Sequence, residues 1–191
     1  ISGLVTFLIP ILNGFIKDAL IDCAITFKDE KVPIDEIESE IFWCFYNLYD
    51  KNNLNDSVHP EKQPILRSLF NDSGDILNNE FPDIRSILDQ KHAFSLDFMM
   101  DDFRLWFTNC FENIEDVQRL WISCLSYSDN HQFFQFFAVA IIYSLAPNIS
   151  QFCVLSNKEF EVEFHKTKKY NLNLLLHNTN DLNTNLKVPT K

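Results

Sequence analysis

Residues 133–145 read FFQFFAVAIIYSL, from Phe133 to Leu145, and no charged side chain interrupts them. The stretch is apolar on nearly every face, so as a helix it has no side to give to water and must be buried. Pro147 follows closely and ends it. Other helices have to surround this segment, and the flanking sequence supplies them.

Upstream, Asn113 is placed to cap a helix carrying Val117, Leu120, Trp121, Cys124 and Leu125. Before it, the spacing of Phe103, Trp106, Phe107 and Cys110 predicts one inward-facing helix over Phe98 to Phe111. Phe81, Ile84, Ile87 and Leu88 make a short helix, and Pro64 suits the first turn of another with Ile65, Leu66, Leu69 and Phe70. Lys51 to Lys62 reads as a polar surface loop. Ile37, Ile41, Cys44, Phe45 and Leu48 share one helical face, preceded by a charged loop from Lys28 to Ser39 that contains Pro33. Leu4, Phe7, Leu8, Ile11, Leu12, Phe15 and Ile16 form a helix stripe, which Pro10 should kink. Downstream, Phe160, Val162 and Phe164 alternate with charges and suggest a short strand. Leu172, Leu174, Leu175 and Leu176 start a last small helix, and the Asn- and Thr-rich tail from Asn178 is expected to fray. Three glycines and seven prolines are too few for the turns of a β-sandwich. The expected fold is all-α, a multi-helix orthogonal array.

Composition narrows the functional classes. The 191 residues are 46% hydrophobic and include 19 Phe, which fits a chain with a real core. The formal net charge of −11 argues against nucleic acid as a partner, because such binders need a basic face, and against attraction to anionic membranes. The five cysteines, Cys23, Cys44, Cys110, Cys124 and Cys153, are odd in number and widely spaced. They read as buried reduced thiols of a cytosolic protein, neither a disulfide frame nor a metal site. The apolar stretch Ile1 to Ile16 is too short and too interrupted for a transmembrane span and lacks the features of a signal peptide. A first residue other than Met suggests a piece of a longer chain. No phosphate loop, zinc-protease motif or nucleophile elbow occurs, the histidines are scattered, and the Asp101-Asp102 pair would be catalytic only if both converged in a cleft. No metal or cofactor is expected.

The informative features are apolar and ordered. Gly3-Leu4 leads to Leu8 and Pro10-Ile11-Leu12, then Ile41-Phe42-Trp43-Cys44-Phe45, then Phe103-Arg104-Leu105-Trp106-Phe107-Thr108, then Arg119-Leu120-Trp121, then the apolar helix at Phe133 to Leu145. This order resembles the C-terminal half of TBC domains, the modules that activate Rab-family GTPases. The likeness covers about Ile1 to Ile149, so residues 1–155 are read as that half-domain and 156–191 as a polar C-terminal extension, partly ordered at best.

The resemblance implies a small GTPase of the Rab family as partner, no cofactor, and a cytoplasmic protein of vesicle trafficking that reaches endomembranes peripherally, through its partners. TBC domains supply an arginine finger from an Ile-x-x-Asp-x-x-Arg segment and a water-orienting glutamine from a Tyr-x-Gln segment. An arginine finger is worth about 10³–10⁵ in rate. The 191 residues contain no Ile-x-x-Asp-x-x-Arg. With Gly3 and Pro10 in the family's register, Ser2 stands at the glutamine position, and Gly3 and Leu4 beside it belong to the GTPase-contacting segment. Serine has no amide and falls short of glutamine's reach, so it cannot both orient a water and touch the GTPase backbone. Val5 and Thr6 replace the family's Asn-Asp, and Ile122 replaces the Asp after Trp121. Two readings remain open: a GTPase activator with Ser2 in the place of its glutamine, and a catalytically inactive scaffold of the same fold. An unrelated helical interaction domain is a third. Arg104 and Arg119 read as structural ion-pair partners, and Trp43, Trp106 and Trp121 as core.

Overall fold

The computed structural model describes residues 24–27, 30–51, 63–90, 93, 96–127, 130–148, 151, 154–166 and 170–187. Among these the fold is all-α apart from one small hairpin. Strand β1 (Ala24–Phe27) pairs antiparallel with β2 (Glu30–Pro33), with Phe27 opposite Glu30. The chain passes from Pro33 straight into helix α1 (Ile34–Lys51). The charged loop expected over Lys28 to Ser39 is therefore replaced, where described, by a strand and the start of a helix. β-branched Ile25, Thr26 and Val32 favour the pairing, and Pro33 sits at the strand's last position, where its missing N–H matters least.

Helix α2 (Gln63–Glu80) has Pro64 in its first turn, as expected. It then continues through Asn71, Asp72, Ser73, Gly74 and Asp75, all poor helix formers. Tertiary packing overrides the propensity. Leu69, Phe70, Ser73, Gly74 and Leu77 form its buried face, and the Ser73 hydroxyl donates to the Leu69 carbonyl at 2.7 Å, so its burial leaves no free polar group. Helix α3 (Pro82–Gln90) follows and buries Ile84 and Leu88.

The single helix expected over Phe98 to Phe111 is broken. A 3₁₀ turn at Asp97–Met99 leads into α4 (Met100–Arg104), and a second 3₁₀ turn occupies Thr108–Cys110. Between them Trp106 and Phe107 are left-handed, at φ 48° and 58°. The Phe107 N–H donates to the Asp102 carbonyl at 2.7 Å, and the Asn109 amide donates to Asp102 Oδ1 at 2.8 Å. The left-handed conformation costs about 1–2 kcal/mol per residue. Burying each ring returns about 1.5–3 kcal/mol. Phe103, Trp106, Phe107 and Cys110 are all buried, so the inward face was read correctly while the backbone was not.

Helix α5 (Ile114–Leu125) is capped as expected, with the Asn113 side chain accepting from the Glu115 N–H at 3.2 Å. Helix α6 (Asn130–Ser144) contains most of the apolar run Phe133 to Leu145, and Pro147 lies in the 3₁₀ turn that closes it. Residues 136–142 are all buried. Helix α2, helix α5 and the C-terminal helix α8 (Leu172–Lys187) cover α6.

The C-terminal region departs most from expectation. Phe160 to Phe164 is no strand but part of helix α7 (Asn157–Lys166). Phe160 and Phe164, one helical turn apart, are buried around the ring of Phe98, while Val162 faces solvent. The residues from Asn178 do not fray up to Lys187. They lie in α8, whose Leu172, Leu175, Thr179 and Leu182 are buried, with the Thr179 hydroxyl donating to the Leu175 carbonyl at 2.8 Å. Among the described residues no helix is long and apolar enough to cross a membrane.

Candidate functional site

Ser2, Gly3 and Leu4 lie outside the described residues. The other residues singled out from sequence can be placed. Trp106 and Trp121 are buried and meet edge to face, with ring centroids 6.1 Å apart. Trp43, expected in the core, is instead 55% exposed and does not belong to it. Its neighbours on α1 divide the same way. Phe45 packs against the core, whereas Phe42, Cys44 and Tyr46 face outward. The segment from Ile41 to Tyr46 is apolar all round, so helical spacing alone could not say which side would turn inward.

On its outer side α1 carries an aromatic cluster. Phe42 and Trp43 meet at 5.5 Å, Trp43 and Tyr46 at 5.7 Å, both edge to face, and Phe42 stacks on Tyr46 at 6.3 Å. Such geometry holds the rings through favourable quadrupole contacts. The Asn47 amide donates to the Trp43 carbonyl at 2.8 Å on the same face. All three rings are exposed.

The two arginines take the ion-pair roles expected of them: Arg104 lies 3.6 Å from Asp101, and Arg119 3.3 Å from Asp116. Arg119 also donates to Asn173 and so ties α5 to α8. Asp101 and Asp102 do not converge. Asp101 faces solvent toward Arg104, while Asp102 is 1% exposed and serves the backbone turn beneath Trp106 and Phe107. Beside it, burial pushes the Tyr170 phenol up, and the nearby Cys110 and Asp102 push it further. A general acid–base pair cannot be built from these residues.

Cys110 and Cys124 are buried, and burial raises the Cys124 thiol well above its ordinary range. Cys44 is exposed, contrary to the expectation for it. His177 is at the surface, 3.5 Å from Asp181. Among the described residues no group of three or more His, Cys, Asp or Glu side chains could hold a metal ion.

One local motif went unread. Ser156 and Glu159 form a reciprocal capping box at the start of α7: the Ser156 N–H and hydroxyl donate to Glu159 Oε2 at 2.9 and 2.7 Å. The Ser-x-x-Glu spacing was its signal.

A family model described as Rab-GTPase-TBC domain matches residues 14–150. No curated protein and no solved structure matches the chain. The matched span takes in α1 to α6 and ends before α7 and α8. Ser2, Gly3 and Leu4 precede it.

Proposed function

Because the chain belongs to the Rab-GTPase-TBC domain family, we propose that it binds a small GTPase of the Rab type, with Gly3 and Leu4 in the contacting segment and Ser2 where the family places its glutamine. The family match over residues 14–150 supports the GTPase partner, and the roles given to Ser2, Gly3 and Leu4 rest on the register of Gly3 and Pro10. The chemistry an activator adds is neutralisation of charge on the transferred phosphoryl group and a fixed position for the attacking water. Ser2 offers one hydroxyl on a short stem, so the second task goes unfilled. The activating step is then weak or lost, while the packed helices that recognise the GTPase are kept. Residues 1–155 are the half-domain in this reading, 156–191 its C-terminal extension, and the protein works in the cytoplasm, reaching endomembranes through its GTPase. The same serine favours a second reading, a scaffold that binds without activating.

The test is a single-turnover GTP hydrolysis assay on a panel of Rab proteins, with binding measured in parallel. The chain as it stands should bind at least one GTPase and leave its hydrolysis rate unchanged. Substantial acceleration would refute the loss of chemistry, and absence of binding to every member would refute the partner. In a chain that also carries the Ile-x-x-Asp-x-x-Arg segment, Ser2→Gln should raise the rate by an order of magnitude or more. An unchanged rate would favour the scaffold.

A further inference from the structure

A cleft of about 270 Å³ opens where the end of α2, the end of α6 and the middle of α8 meet. Ala140 and Leu182, both buried, help to line it. Phe81 and Tyr143 line it with stacked rings, their centroids 4.5 Å apart and their planes 26° from parallel. Glu80 and Asp181 supply carboxylates, and Asn178 and Asn185 add amide groups. Among the described residues no lysine, arginine or histidine lines it.

The described charges lining the cleft are both negative, and the one positive helix end beside it is the start of α3 at Pro82, next to Phe81. Glu80 is the last residue of α2 and Tyr143 the last but one of α6, so the negative ends of two helix dipoles come together here. Neither helix has a basic residue in its last turn. His177 reaches Asp181 at 3.5 Å and is a charged partner only when protonated. The paired rings present aromatic surface, which attracts a cation through its quadrupole. A planar guanidinium stacks on a ring while its N–H groups reach carboxylates at the edge, which a compact ammonium cannot do equally well.

We propose that this cleft receives an arginine side chain from a partner protein. A second copy of this chain is a poor occupant, since each copy carries a net charge of −11. An anionic lipid surface would be repelled by the same carboxylates. The inference does not depend on the GTPase reading, because it is argued only from described residues of α2, α6, α8 and Phe81, and not from the segment around Ser2.

The test uses the full chain, isotope-labelled, titrated with N-acetyl-arginine methylamide while amide and side-chain NMR signals are followed. N-acetyl-lysine methylamide and N-acetyl-citrulline methylamide are run alongside. Saturable shifts confined to Phe81, Tyr143, Asn178 and Asp181, strongest for arginine and absent for citrulline, are expected. The double variant Glu80→Gln/Asp181→Asn, which alters only exposed side chains, should weaken the arginine probe about five- to tenfold. Tyr143→Leu should remove the preference for arginine over lysine. Equal response to citrulline, shifts spread over the acidic surface without saturation, indifference to the double variant, or no shift at all would each overturn the proposal.

Discussion

Ser156 shows how much one side chain decides. Its hydroxyl and N–H both bind the Glu159 carboxylate, and these bonds hold that carboxyl below its ordinary range. A carboxyl whose folded value is lowered adds stability above its unfolded pKa, and that stability is lost as pH falls through the lowered value. The start of α7 should therefore loosen under acid conditions. Ser156→Ala removes the cap and should cost about 1 kcal/mol. The checks are a urea denaturation midpoint and an NMR titration of Glu159, which should return toward the ordinary carboxylate value in the variant. An unmoved titration would mean that the box does not form in solution. The motif was legible in Ser156-x-x-Glu159. The alternation of Phe160, Val162 and Phe164 masked it, because residues two apart and four apart both fit that run.

At the scale of elements, α6 was readable because a segment apolar on all sides has only one place to go. The break between α4 and α5 was not. Phe103, Trp106, Phe107 and Cys110 keep helical spacing straight through it, and no glycine marks the left-handed residues. The signal lies in three dimensions, where Phe107 reaches Phe137 at 5.2 Å and Trp106 reaches Phe134 at 5.0 Å. Phe107→Ala should cost about 3–5 kcal/mol through the lost ring. Phe107→Gly should be more stable than Phe107→Ala by about 1 kcal/mol, because glycine alone adopts φ 58° without strain. In a helix interior the order is reversed. Urea denaturation of the two variants in a stabilising osmolyte measures the difference, and alanine proving the more stable would contradict the left-handed turn.

For the whole molecule, the C-terminal helix is structural. Leu172, Leu175 and Leu182 are buried, and each contributes about 1.5–3 kcal/mol. Together they approach the ~5–15 kcal/mol by which a domain is stable at all. A chain ending at Tyr170 should lose its cooperative thermal transition and expose the apolar surface of α6, seen as dye binding and aggregation. A sharp transition in that truncated chain would show that α8 is dispensable. The family-matched span was legible in ordered apolar segments, whereas the role of α8 was hidden by the asparagines on its outer face. The candidate site at Ser2 rests on resemblance alone, since Ser2 carries no physical signal of its own and lies outside the described residues.

The outward turn of Trp43 has an optical consequence. The indoles of Trp106 and Trp121 sit in an apolar interior, so their emission should be blue and shielded from iodide or acrylamide. Trp43, at 55% exposure, should emit further to the red and be quenched first. The chain thus carries a built-in reporter on one helix face, readable without any label. A protein that settles on the Phe42, Trp43 and Tyr46 cluster would shift that component to the blue and protect it, while one that binds elsewhere would leave the spectrum as it was.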